Sequence, residues 1–142
     1  MYCSSLAHFF YDINTFQINQ IMSESQKLIT NVSWNPINKD LIATHSNNEV
    51  LYIYNIAKQK IECKCLIRRE IPQQIEWNLN NGKEVFLSYK SGEIMKYSIF
   101  DSSASDFLNF GENYSRKFRF NPNMQNSVVF GLSNGWLNFF QL

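Results

Sequence analysis

Cys63 and Cys65 are the first residues whose type and spacing suggest chemistry, because two neighbouring thiolates can supply half of a tetrahedral zinc site. On an extended strand a Cys-x-Cys pair points both thiols to one face. Two further ligands would have to come from distant parts of the chain, and Cys3 is the only other cysteine. Three cysteines are also too few, and odd in number, for a disulfide framework, so they read as ordinary reduced residues. His8 and His45 fall in separate strand-like segments and read as core or surface histidines. Neither stands with a serine or cysteine in a nucleophile–base motif. No phosphate-binding glycine loop, dinucleotide fingerprint, zinc-protease helix or calcium loop occurs. The expectation is a chain that is not an enzyme and that holds no cofactor and no metal.

The charged residues are more informative. Thirteen Lys and Arg stand against twelve Asp and Glu, for a net charge of +1. That balance argues against the broad basic field of a non-specific nucleic-acid binder. Two basic pairs, Arg68-Arg69 and Arg116-Lys117, are expected in the links between successive groups of strands. With Lys90, in a turn, they could form a mildly basic rim on one face. Solvated links ordinarily carry Lys and Arg, which is the plain alternative. Read as a site, the rim would hold an acidic or phosphorylated segment of a protein partner through arginine donors. RNA is the alternative ligand, weakened because most of the aromatic residues are needed for packing.

The elements that would position these groups follow from an internal repeat. Trp34, Trp77 and Phe120 are spaced by 43 residues, and so are Tyr11, Tyr54, Tyr97 and Phe140. Ile13, Ile56, Ile99 and Leu142 follow the second set two residues later. Asn35-Pro36 returns as Asn121-Pro122 after two such intervals, and Gly92 and Gly135 are separated by one. A period of 43 falls among those of propeller blades and not of ankyrin or tetratricopeptide repeats, and the local alternation is strand-like rather than helical. Within each period the apolar residues alternate with polar ones, as in half-buried strands. First strands are expected around Val32–Trp34, Ile75–Trp77 and Phe118–Phe120, and second strands at Leu41–His45, Glu84–Tyr89 and Ser127–Leu132. Third strands are expected at Val50–Tyr54, Glu93–Ile99 and Trp136–Phe140, and outer ones at Ile18–Met22, Ile61–Leu66 and Ala104–Asn109. Asn and Gly in the intervening turns supply positive φ. No segment has the apolar stripe of a helix.

Glu76 and Arg119 are also one period apart, so they occupy equivalent places on adjacent first strands, with Ser33 the third of the set. Their neighbours Trp77 and Phe120 point the other way. The two charges therefore face an inner wall or seam, where they either form an inter-blade ion pair or are separately solvated.

The segments Ile29-Thr-Asn-Val-Ser-Trp-Asn-Pro36, Leu41-Ile-Ala-Thr-His-Ser46 and Val50-Leu-Tyr-Ile-Tyr-Asn55 together resemble one WD-repeat unit. The family's closing Trp-Asp corresponds to Tyr54-Asn55, Tyr97-Ser98 and Phe140-Gln141, which keep the aromatic and lose the acid. Its turn aspartate falls on Asn48, Ser91 and Asn134, and its Gly-His pair has no counterpart. The side-chain network that braces regular blades is thus not expected, and stability must rest on packing. The resemblance implies an all-β, WD-repeat-like β-propeller segment of about three four-stranded antiparallel blades forming an incomplete ring. Residues 1–22 would be the third and fourth strands of a preceding blade, 23–66 and 67–110 whole blades, and 111–142 an incomplete one. It implies a non-catalytic protein-interaction scaffold within a larger WD-repeat protein or multi-subunit assembly, its missing blades supplied by a longer chain or by a partner. No membrane span is expected, since no run approaches the ~18 apolar residues required. The expected location is cytoplasmic, in a ciliary or other assembly.

Overall fold

In a computed structural model of the chain, residues 2–3, 7–22, 29–46, 49–67, 70–124 and 126–142 are described. They form an all-β fold of four antiparallel sheets in chain order, each built from sequence neighbours. The first sheet holds β1 (Tyr2–Cys3), β2 (Ala7–Tyr11) and β3 (Ile18–Met22). The second holds β4 (Ile29–Trp34), β5 (Leu41–Ser46), β6 (Val50–Asn55) and β7 (Lys60–Leu66). The third holds β8 (Gln74–Trp77), β9 (Glu84–Ser88), β10 (Glu93–Ser98) and β11 (Ser103–Asn109). The fourth holds β12 (Ser115–Phe120), β13 (Ser127–Leu132) and β14 (Leu137–Gln141). Among the described residues no helix is long and apolar enough to cross a membrane.

The backbone repeats with the sequence. Trp34 pairs with Ile42 and Ile42 with Tyr54; Trp77, Val85 and Tyr97 pair in the same way, as do Phe120, Val128 and Phe140. After each first strand an asparagine makes the turn. The Oδ1 atoms of Asn35, Asn78 and Asn121 accept from the backbone N–H two residues on, in Ile37, Asn80 and Asn123. Side chains of this type can close a turn on their own backbone, and proline after Asn35 and Asn121 has no N–H to leave unpaired. Glu49, Gly92 and Gly135 occupy one register place, and all three have positive φ, at 66°, 92° and 89°. At Gly92 a side chain is also excluded by space, because a Cβ there would collide with the backbone of Gly111.

Successive sheets pack face to face. Ala43, Leu51, Ile53 and Cys65 of the second sheet bury against Ile75, Trp77, Val85, Leu87 and Tyr97 of the third. The other face of the third sheet, with Phe86 and Ile94, buries against Phe118, Phe120, Val128 and Phe130 of the fourth. The Phe86 and Phe120 rings meet edge to face with centroids 5.2 Å apart, a favoured aromatic arrangement. Burial on both sides explains why Val85, Phe86 and Leu87 run without alternation.

The structure departs from the sequence expectations at three places. Residues 1–22 contain more than third and fourth strands, because the short β1 pairs with β2 through Tyr2–Phe9 and Cys3–His8. Trp34 is not buried like Trp77 and Phe120: it is 44% exposed, against 1% and 3%. The Trp77 indole donates to the Ser33 carbonyl on the first strand of the sheet before it, at 3.0 Å. Among the described residues the first sheet has no such inner strand, and the Trp34 indole donates instead to Lys39 within its own turn, at 2.7 Å. Tyr11 is 51% exposed for a related reason. Its counterpart Tyr97 reaches back to Cys63 of the preceding sheet, and no described sheet precedes Tyr11.

Truncating Trp77 to Ala is therefore expected to cost about 3–5 kcal/mol, through lost burial and an unfilled cavity. Trp34→Ala should cost about 1–2 kcal/mol, since much of its ring is already in water. Chemical denaturation of the two variants checks this, and equal losses would contradict the asymmetry.

Candidate functional site

The first strands β4, β8 and β12 present a cleft of about 420 Å³ lined by Asn31, Ser33, Trp34, Gln74, Glu76, Lys117 and Arg119. Strand alternation puts these polar residues on its wall, beginning just after a local irregularity at the start of the strands. The register of β4 slips between Ile29 and Asn31, and that of β12 between Ser115 and Lys117. At the corresponding place before β8, the N–H of Gln73 donates to Ser88. Past that irregularity simple alternation puts Asn31, Gln74 and Lys117 with Ser33, Glu76 and Arg119 on the cleft side, while the extra residue turns Ile29 and Ser115 to the opposite face.

Gln74 is the organising side chain of this cleft. It is 6% exposed, and its Oε1 accepts from the N–H of Phe118 while its Nε2 donates to the carbonyl of the same residue, each at 3.0 Å. The amide thus imitates a strand rung between β8 and β12. Its Nε2 also donates to Glu76 Oε2 at 2.6 Å. One period earlier, Asn31 donates from Nδ2 to the carbonyl of Pro72 at 2.8 Å. Sequence reasoning singled out Lys117, Glu76 and Arg119 as site residues but not Asn31 and Gln74, although Asn31, Gln74 and Lys117 share the 43-residue spacing.

Glu76 and Arg119 meet across the seam, with Arg119 Nη1 donating to Glu76 Oε2 at 2.5 Å. The Glu76 side chain is 15% exposed and that of Arg119 is 67%. Burial pushes the Glu76 carboxyl above its usual range, and the opposing pull of Arg119 does not cancel it. Folding therefore favours protonated Glu76, a contribution lost as pH rises through its folded pKa.

The basic rim is divided. Arg116 and Lys117 lie on β12 itself and not in the link before it. Both are exposed, and Lys117 lines the cleft wall. Lys90 is exposed in the turn after β9. Arg68, Arg69 and Asn48 lie outside the described residues.

His45 is buried on β5, with Nδ1 3.1 Å from Thr30 Oγ1. The Thr30 hydroxyl donates to the His45 carbonyl, so the ring N–H is assigned to Nδ1, and Nε2 is buried with no hydrogen-bond partner. Burial lowers the His45 pKa to about 4. Cys63 and Cys65 share the inner face of β7, and burial pushes both thiols up, away from reactive thiolate. Cys3 lies on β1 and His8 on β2. Among the described residues no group of three or more His, Cys, Asp or Glu could hold a metal. No protein-family model matches this sequence.

Two measurements follow from this chemistry. A double-mutant cycle at Glu76 and Arg119 should give a coupling of about 0.2–1 kcal/mol, small because the arginine is largely in water; zero coupling would contradict the pairing. His45 has a folded pKa below its unfolded value, so its contribution to stability is full above about pH 6.5 and is lost as pH falls toward 4. About 3 kcal/mol of acid sensitivity should disappear in His45→Gln, whatever that variant's stability at neutral pH. An unchanged pH dependence would contradict the buried neutral ring.

Proposed function

We propose that the chain is a non-catalytic protein-interaction scaffold, part of a WD-repeat-like β-propeller, whose first strands receive an acidic segment of a partner protein. The observation that carries this reading is the pairing of Lys117 and Arg119 on one wall of the cleft. Neighbouring cations at a partly enclosed surface favour a carboxylate or phosphate, and the Arg119 guanidinium has donors beyond the Nη1 that holds Glu76. Trp34, half-exposed at the opposite wall, offers an apolar contact beside them. The propeller reading is supported by the recurring register, the stacked sheets and the adjacency of the first strands. Within such an architecture the cleft belongs to the inner wall of the ring, and further blades come from a longer chain or a partner. A cytoplasmic assembly is the setting we assign to it.

Calorimetric titration with an Asp/Glu-rich peptide, with and without one phosphoserine, tests the ligand class. Binding should weaken several-fold in Lys117→Glu and show only moderate salt dependence. Single-stranded RNA that binds more tightly than either peptide, with log K falling by nearly one log unit of salt per phosphate contact, would replace this reading with nucleic-acid recognition.

A further inference from the structure

One of the two cations on the cleft wall is already engaged by a carboxylate of the chain itself. Glu76 stands on β8 with its side chain 15% exposed, and Arg119 Nη1 donates to its Oε2 at 2.5 Å across the seam. The same Nη1 donates to the carbonyl of Phe118 at 3.3 Å, so that end of the guanidinium is occupied from within. The carboxylate is held in place. Gln74 Nε2 donates to the same Oε2 at 2.6 Å, and the Gln74 amide is fixed by both backbone groups of Phe118. Lys117, the other cation of the wall, acts on Glu76 through its charge. Both cations thus face a carboxylate of the kind an acidic partner would bring. The equivalent position one repeat earlier, on β4, carries the uncharged Ser33.

We propose that Glu76 regulates this cleft as a resident competitor: ionised, it engages Arg119 and repels an acidic segment of the partner; protonated, it leaves both cations to that segment. This deepens the reading of the cleft as an anion site and rests on it. The pair with Arg119 is weak enough to yield, because the guanidinium is 67% exposed, and its Nη2 and Nε donors remain for a ligand. Burial pushes the Glu76 carboxyl above its usual range, so it takes up a proton before an exposed carboxylate does as pH falls. An anion beside it favours the protonated form. Binding is therefore coupled to proton uptake, and affinity rises as pH falls through the folded pKa of Glu76. The other charged groups facing Glu76 are Lys117 and Arg119 from β12. Lys96 of β10 lies on the same face beyond Phe86, paired with Glu84 at 3.1 Å. From β4 come only the uncharged Asn31 and Ser33.

Calorimetric titration of the full chain from about pH 7 to about pH 5 tests this, above the His45 pKa of about 4. The probe is a Gly/Ser peptide with cysteic acid at alternate positions, because a sulfonate stays ionised throughout. Glu76→Gln should bind this peptide about two- to fivefold more tightly than wild type at neutral pH. The wild-type affinity should climb toward that of the variant as pH falls, with proton uptake read from heats in buffers of different ionisation enthalpy. The variant should show neither effect. Should it fail to fold by circular dichroism, Glu76→Ser, which installs the side chain found one repeat earlier, gives the same comparison. Equal affinities, weaker binding by the variant, or a pH dependence that survives in it would overturn the competitor and leave the anion site standing. No binding of the peptide by either protein would remove the anion site, and the proposal with it.

Discussion

The apolar contact between successive sheets is the interaction on which the rest of the molecule depends. A single three- or four-stranded sheet of this size has no independent core; it becomes stable by burying a face against another element. Trp77 concentrates that dependence in one side chain. Its ring fills the space between the second and third sheets, and its indole N–H is satisfied by Ser33 on the neighbouring first strand. A buried indole without that acceptor would carry an unpaired donor, so packing and hydrogen bonding select the same relative placement of the two sheets. The aromatic cluster around Phe86, Phe118, Phe120 and Phe130 fills the next interface, and its rings carry no polar tie of their own. There, Gln74 supplies one by bonding to both backbone groups of Phe118.

The cleft is a consequence of that stacking. First strands brought side by side must direct one set of side chains into the core and the other into the space between them. Alternation along the strands decides which residues those are, and the small bulge at the head of β4 and β12 ends the cleft-facing set there. It also explains why Glu76 can remain largely buried: Gln74 and Arg119 both donate to its Oε2, offsetting part of the cost of removing the carboxylate from water. Burial still outweighs them, which is why the carboxyl stays above its usual range.

Much of this was legible in the spacing of a few residue types. The 43-residue interval between Trp34, Trp77 and Phe120 located the first strands, and the Asn and Gly turns bounded the hairpins. What a period cannot supply is the neighbour. Trp34 and Trp77 hold equivalent places in the repeat, yet one is half-exposed because, among the described residues, the sheet before it offers no matching inner strand. Arg116 and Lys117 looked like a basic pair in a link, yet both lie on β12, and Lys117 lines the cleft. Gln74 was illegible as a structural residue because its partner, Phe118, lies 44 residues away and offers only backbone. The Glu76–Arg119 contact was within reach because both residues sat at equivalent positions, but spacing alone could not choose between pairing and separate solvation.

The central claim, that the third sheet is locked to the second through Trp77, is most directly measured by NMR of the three indole N–H groups. The account predicts slow solvent exchange and cross-relaxation to the Ser33–Trp34 strand for Trp77, with fast exchange for Trp136, which is 69% exposed. Fast exchange of the Trp77 indole, with no cross-relaxation to that strand, would contradict it.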